Sequence, residues 1–271
     1  MLNGMLRFND EAARKLEAIY TTPDIVAQRR ETLDHLRLRP GEFVIDIGCG
    51  PGFLAEEIAD AVGATGFVLA IDISDDVLRL ADQRRHPRWL AYLRADAGCL
   101  CVADLSFDVA VSAQALEYVE DPDRALSEMY RVVKHGGRAL VMNTDWDRVA
   151  WYSDDPVRMA KVRKAWEAHC IDPHLPRTLI RRLHQVGFKI QSAPTFSIIN
   201  TRASPDNFSH GLIDLMVTFI AQQGTVSSEE LDAWAAELHA LSSTGRYFFS
   251  NTRSFFCATK PVPAPSAAPR A

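Results

Sequence analysis

The stretch Val44-Ile-Asp-Ile-Gly48-Cys-Gly50-Pro-Gly52 decides the fold. Its first half reads as a buried strand, and Phe53-Leu-Ala-Glu-Glu-Ile58 opens an amphipathic helix. Between them, three glycines let the backbone turn sharply and approach a ligand closely. The helix N-terminus adds free N–H groups beside them. Strand, glycine loop and helix in this order form the context that gives such a loop meaning.

Working outward, short apolar runs alternate with amphipathic segments. Candidate strands are 43–47, 67–71, 90–94, 107–111 and 138–143, with helices over 53–62, 74–85 and 122–133 between them. Repeated strand–helix–strand units imply right-handed crossovers and a parallel sheet. Runs such as Val68-Leu-Ala-Ile71 suit strands covered on both faces. Helices over 9–19 and 25–38 precede this block, with Asn9 or Asp10 as the first cap. Beyond it, 155–169, 176–186, 205–222 and 228–241 read as helices, and 188–191 and 247–259 as strands. The expected fold is α/β: a Rossmann-like, doubly wound, mostly parallel seven-stranded sheet. Residues 1–40 form an N-terminal helical cap and 41–260 the main domain, with a helical insertion over about 197–245 acting as a lid. The tail 261–271 holds four Pro in eleven residues and is expected to be disordered.

The loop has partners at set intervals. Asp72 ends the second strand, twenty residues after Gly52, where a carboxylate can accept both hydroxyls of a ribose. Asp96 follows the third strand, where it can take an adenine amino group while the Ala97 N–H meets a ring nitrogen. Asp46 is placed to pin the loop. A dinucleotide fingerprint needs glycine at position 53, and this chain has Phe53, which counts against NAD or FAD.

Taken together, these segments resemble the class I S-adenosylmethionine-dependent methyltransferases. The resemblance rests on Asp46-Ile-Gly-Cys-Gly-Pro-Gly52, Ala70-Ile-Asp-Ile-Ser74, Ala95-Asp-Ala97 and Phe107-Asp-Val-Ala-Val111. It extends through Leu116-Glu-Tyr-Val-Glu-Asp-Pro122 to Arg131-Val-Val-Lys-His-Gly-Gly-Arg138, where His135 replaces the usual proline. Upstream, Tyr20-Thr-Thr-Pro-Asp-Ile-Val-Ala-Gln-Arg29 is similar to the branch containing menaquinone, ubiquinone and natural-product methyltransferases. The resemblance implies S-adenosyl-L-methionine as cofactor. Gly48, Gly50, Gly52 and Gln114 would face its methionine part, Asp72 the ribose, Asp96 and Ala97 the adenine, with Ile73 packed on the ring. Tyr20 would close over the cofactor, and Arg29 would hold its carboxylate or a nearby acid.

Methyl transfer is an in-line displacement, so the protein's main task is alignment and exclusion of water. The acceptor must be met by segments outside the common core. Asp145 and Trp146 leave the fifth strand at the end facing the transferred methyl. Phe208, Leu212 and Met216 belong to a helix apolar over so much of its surface that it is a lid, plain core or a dimer face. Of His169, His174 and His210, His174 joins Tyr20 and Asp145 as the candidate catalytic set. The expected acceptor is a small metabolite, aromatic or apolar, methylated at O, N or C. The alternative is a protein that binds the cofactor without transferring its methyl.

Composition narrows the partners. The net charge of −5 and a pI near 5.9 provide no basic stripe for nucleic acid. No apolar run reaches membrane-spanning length. Five cysteines without paired CxxC spacing suggest reduced thiols in the cytoplasm, and no histidine spacing predicts a metal. The start lacks a secretory pattern. A homodimer is left open.

Overall fold

The computed structural model of the chain describes residues 10–84 and 86–263. The candidate cap Asn9 and residues 264–271 of the Pro-rich tail lie outside the described residues. Helices α1 (Asp10–Tyr20) and α2 (Pro23–Leu36) lead into β1 (Phe43–Ile47), α3 (Phe53–Val62), β2 (Phe67–Asp72), α4 (Asp75–Gln83) and β3 (Leu90–Arg94). Then come β4 (Phe107–Ala113), α5 (Pro122–Val132), β5 (Val133–Thr144), β6 (Ala150–Trp151), α6 (Pro156–Trp166) and α7 (Pro176–Val186). The last elements are β7 (Lys189–Ser192), β8 (Thr195–Asn200), α8 (Phe208–Gln223), α9 (Ser228–Ser243) and β9 (Phe249–Thr259).

Strands β3, β2, β1, β4 and β5 lie side by side and parallel, in register from Val68↔Leu90 and Val44↔Val68 to Val44↔Val109 and Val109↔Arg138. β9 enters antiparallel beside β5. Its residues 249 and 250 pair with both β6 and β8, and 253 and 254 with both β5 and β8. Thus β5 and β6 share one edge of β9, and β7 and β8 the other. The sheet has nine strands rather than seven. The two extra ones are β6, two residues long, and β8, whose residues 197–200 fall where the helical insertion was expected to begin.

The pleat sends alternate side chains to opposite faces. Ile45, Ile47, Leu69, Ile71 and Val141 pack toward α5 and α7. Val44, Val68, Ala70, Val111 and Met142 pack toward α2, α3 and α4. A third core lies off the sheet's C-terminal edge, where α1, α6, α8 and α9 gather around Trp146, Trp166, Phe208, Leu212, Phe219 and Trp234. α1 and α8 approach so closely that a Cβ on Gly211 would stand 2.5 Å from the Ile19 side chain. Among the described residues, no helix is long and apolar enough to cross a membrane.

Candidate active site

The glycine loop turns as its composition requires. Gly48, Gly50 and Gly52 have φ of 77°, 52° and 81°, values an L side chain rarely adopts. A Cβ on Gly48 would lie 2.2 Å from that of Ala115. The Gly48 and Cys49 N–H groups donate to the Ile71 carbonyl, tying the loop to β2. Asp72 adds a second tie. One of its oxygens accepts from the Gly50 N–H and the other from the Ser74 N–H, each at 2.9 Å. Burial raises the Asp72 carboxyl above its ordinary value, while these N–H groups oppose the shift. Each oxygen keeps a lone pair for a further donor.

Asp96 is exposed and accepts from the Gly98 N–H at 2.7 Å, in a turn beside Asp72, whose carbonyl accepts from the Ala95 N–H at 3.0 Å. Ile73 is 63% exposed, a bare apolar surface between the two acids, and Ala97 is half-buried. These four residues form the open part of the site.

Next to it is a cavity of about 110 Å³ between the strand tips and the third core. Its sheet side is lined by Asp46, Gly48, Cys49, Gln114, Glu117 and Arg253. Its far side is lined by Tyr20, Tyr118, Trp146, Trp166, Phe208 and Leu212. Gly50 faces the same wall: a Cβ there would sit 3.8 Å from the Tyr20 ring. Burial pushes the Tyr20 hydroxyl up to about 12, so it stays protonated. Arg29 also lines the cavity, and its guanidinium holds Glu57 at 2.8 Å and the Tyr20 carbonyl at 2.5 Å.

The polar floor is a network reached from four elements. Gln114, at φ 55°, accepts from Thr144 at 2.7 Å and from Arg253, and its amide nitrogen has no partner. Arg253, 3% exposed, also bonds Thr144 and the Gln28 side chain and lies 4.8 Å over the Phe208 ring. Burial lowers its pKa to about 10, against the pull of Glu117, Tyr20 and Tyr118, so it remains a cation at neutral pH. Glu117 is fully buried. One carboxyl oxygen accepts from the Asn143 amide; the other has no partner. Burial pushes its carboxyl up to about 8. Asp46 is likewise buried, with one oxygen unpartnered, and burial raises it to about 7 with help from the charge of Asp72.

The other expected residues separate. Trp146, Phe208 and Leu212 line the cavity, whereas Met216 lies in the third core behind them, with Leu215 at the wall. Asp145 and His174 do not line it. Asp145 accepts from Arg177 at 2.8 and 3.1 Å and from His174 at 3.1 Å, and Arg177 also holds Asp147. These partners hold the Asp145 carboxyl below the usual range despite its burial. A carboxylate bound by the Arg177 guanidinium, with Arg148 at 3.3 Å, has little basicity left for an acceptor. The Asp145 cluster instead braces the turn that carries Trp146, whose backbone N–H donates to the Pro173 carbonyl at 2.9 Å. His169 is stacked on Trp166 with ring centroids 4.0 Å apart. Its Nδ1 meets the Trp166 carbonyl at 2.6 Å and so must carry the proton, and burial drops its pKa to about 3.

Residues 45–141 match the methyltransferase domain family. The chain has the fold of the class I methyltransferases. The matched segment runs from β1 into β5 and includes the glycine loop, Asp72, Asp96, Gln114 and Glu117. The sheet order and flanking helices are those of class I methyltransferases. An uncharacterised 37.1 kDa protein in transposon TN4556 of Streptomyces fradiae is 32% identical over 196 residues, 70% of this chain and 56% of that protein. The ubiquinone/menaquinone biosynthesis C-methyltransferase of Pseudoalteromonas translucida is 36% identical over 118 residues, 42% of this chain and 47% of that protein. The chain therefore spans about half the length of the curated relatives it matches. Among solved structures, Haemonchus contortus phosphoethanolamine N-methyltransferase 2 in complex with S-adenosyl-L-methionine superposes with a TM-score of 0.60 at 20% identity. That superposition covers 94% of this chain and 58% of the other.

Sequence reasoning assigned no role to Glu117, Arg253, Gln28 or Trp166. Glu117 has a visible signal, an acid between Leu116 and Tyr118 just past the fourth strand tip. Arg253 has a weaker one, a lone cation within an aromatic strand. The methyltransferase domain match ends before Arg253 and before the helices that close the cavity.

Proposed function

We propose that the protein is an S-adenosylmethionine-dependent methyltransferase acting on a small, largely apolar acceptor. The observation that carries this reading is the junction itself: a glycine loop held open by Asp72, continuous with a cavity that is polar on the sheet side and aromatic on the other. The residues fit such a cofactor. The unpartnered buried Gln114 amide and Asp46 oxygen, and a Gly50 whose missing Cβ leaves space before Tyr20, suit a ligand at the loop.

In this reading Asp72 holds the ribose hydroxyls, Asp96 and the Ala97 N–H the adenine, and Ile73 packs on the ring. The glycine loop, Gln114 and Arg29 hold the methionine part. When bound, the cofactor supplies a methyl group on a sulfonium. The chain's own residues do the rest. Tyr20 and α1 close over the loop, and Trp146, Trp166, Phe208 and Leu212 exclude water and orient an apolar acceptor. Asp145 and His174 act as positioning residues for Trp146. The cavity of about 110 Å³ is the inner end of the site, and the part around Asp72, Ile73 and Asp96 is open beside it. The apolar wall supports an apolar acceptor, and the quinone-pathway relative is in keeping with it. The enzyme works in the cytoplasm, without a metal.

Titration calorimetry with S-adenosylhomocysteine tests the first half. Asp72→Ala and Asp96→Ala should each weaken binding about 10- to 100-fold, the worth of a lost charged hydrogen bond. Wild-type affinity in both variants would refute the reading. Transfer of labelled methyl to a panel of hydroxylated aromatic and isoprenoid compounds tests the second half.

A further inference from the structure

The charges lining the cavity do not cancel one another. Arg29 is neutralised by Glu57. Arg253 bonds only the neutral oxygens of Gln28, Gln114 and Thr144. Glu117 has one oxygen without a hydrogen-bond partner, and no cation bonds the other, which receives the neutral Asn143 amide. Its backbone is fixed, since its carbonyl accepts from the Ile171 and Asp172 N–H groups at 2.8 and 3.1 Å. The groups that face it are Arg253 from β9, Tyr20 from α1, Tyr118 beside it, Cys170 and Asp172 after α6, and Asn143 from β5. Its own backbone N–H and, less strongly, Arg253 favour its ionised form, and Asp172 opposes it. Burial outweighs the first two, so near neutrality Glu117 is mostly a neutral acid and the Arg253 cation stands uncompensated.

A cation entering this cavity meets that uncompensated charge and offsets it by driving the proton off Glu117. A neutral ligand does neither. We propose that Glu117 is the residue by which the site distinguishes the sulfonium cofactor from its neutral thioether product. The Glu117 O–H bond breaks as the cation enters, the electron pair stays on the carboxylate and the proton passes to solvent; the proton returns when the cation is gone. The rings of Tyr20, Tyr118 and Trp146 along the same wall add an attraction for positive charge that a thioether does not feel. This inference rests on the cofactor assigned above and makes affinity for the sulfonium, and not for the thioether, depend on pH.

Calorimetry of the full chain in two buffers of different ionisation enthalpy, with S-adenosylmethionine and S-adenosylhomocysteine in turn, provides the test. At pH 7 the sulfonium should release about 0.5 to 0.9 proton more than the thioether. Its affinity should rise about three- to eightfold from pH 6.5 to 7.5, with thioether affinity unchanged. Glu117→Gln should keep thioether affinity, which also reports that the variant folds, and lose both the excess release and the pH slope. Equal proton release for both ligands would overturn the proposal. So would release that persists in Glu117→Gln and disappears in Asp46→Asn. Failure of both ligands to bind would remove the cofactor reading as well, whereas binding of both without discrimination removes this proposal alone.

Discussion

The two walls of the cavity are built in different ways. The sheet-side wall comes largely from neighbouring strand tips, where short motifs place Gly48 and Gln114 in the wall, and Asp72 and Asp96 in the open site beside it, through the local geometry of β1 to β4. The far wall comes from residues distant in sequence: Tyr20 on α1, Trp146 after β5, Trp166 on α6 and Phe208 on α8. One wall is specified by backbone turns and the other by packing, so each should fail to a different kind of substitution.

The largest effect is expected in the packed wall. Trp234 on α9 is fully buried in the third core, edge-on to Trp151. Trp234→Ala should cost about 3 to 5 kcal/mol, read by urea unfolding. Methyl transfer should fall while the strand tips still bind S-adenosylhomocysteine. Loss of that binding in step with transfer would show that the two walls form one unit.

The glycine wall should break through its backbone. Gly48→Ala adds a Cβ 2.2 Å from Ala115 at a φ of 77°, and should lower stability by about 2 to 3 kcal/mol and abolish S-adenosylhomocysteine binding. Ala115→Gly in the same chain removes the clash but not the φ strain, so it should restore part of the stability. If it restores none, the clash is not the cause.

A smaller effect separates the walls by pH. The folded chain keeps His169 neutral down to about pH 3, while the unfolded chain protonates it near 6.5. Its contribution is therefore present above pH 6.5 and is lost as pH falls toward 3. Glu117 and Asp46 have raised values and act in the opposite direction, so the wild-type curve alone is not diagnostic. The difference between wild type and His169→Phe should shrink by about 1 kcal/mol per pH unit below 6.5. A pH-independent difference would mean that His169 titrates normally.

How far the sequence could be read follows the same division. Phe43–Ile47, Phe53–Val62, Leu90–Arg94 and Pro176–Val186 occur with the expected bounds, because periodicity and a terminal Gly or Pro are local signals. β8 is less legible. Its pattern leaves Thr195, Ser197 and Ile199 exposed, and it is a strand because β9 offers an edge to pair with. Asp145 and His174 sit where a site at the strand ends would recruit them, but Arg177, the second residue of α7, draws the carboxylate into an ion-pair cluster. Arg253 is illegible for the opposite reason: its importance depends on Gln28 and Gln114, 225 and 139 residues away.

The position of β9 governs assembly. It is the last strand, yet it lies inside the sheet, with β5 on one flank and β7 and β8 on the other, and it delivers Arg253 to Gln114 and Gln28. A chain emerging from the ribosome must hold the β5 edge and the β8 edge apart until residues 249–259 slot between them. Such distant pairing is slow, because the loop entropy is lost before the contacts form. The binding chamber thus cannot form until residues 249–259 have docked between the two edges, whatever the order in which the rest of the sheet assembles.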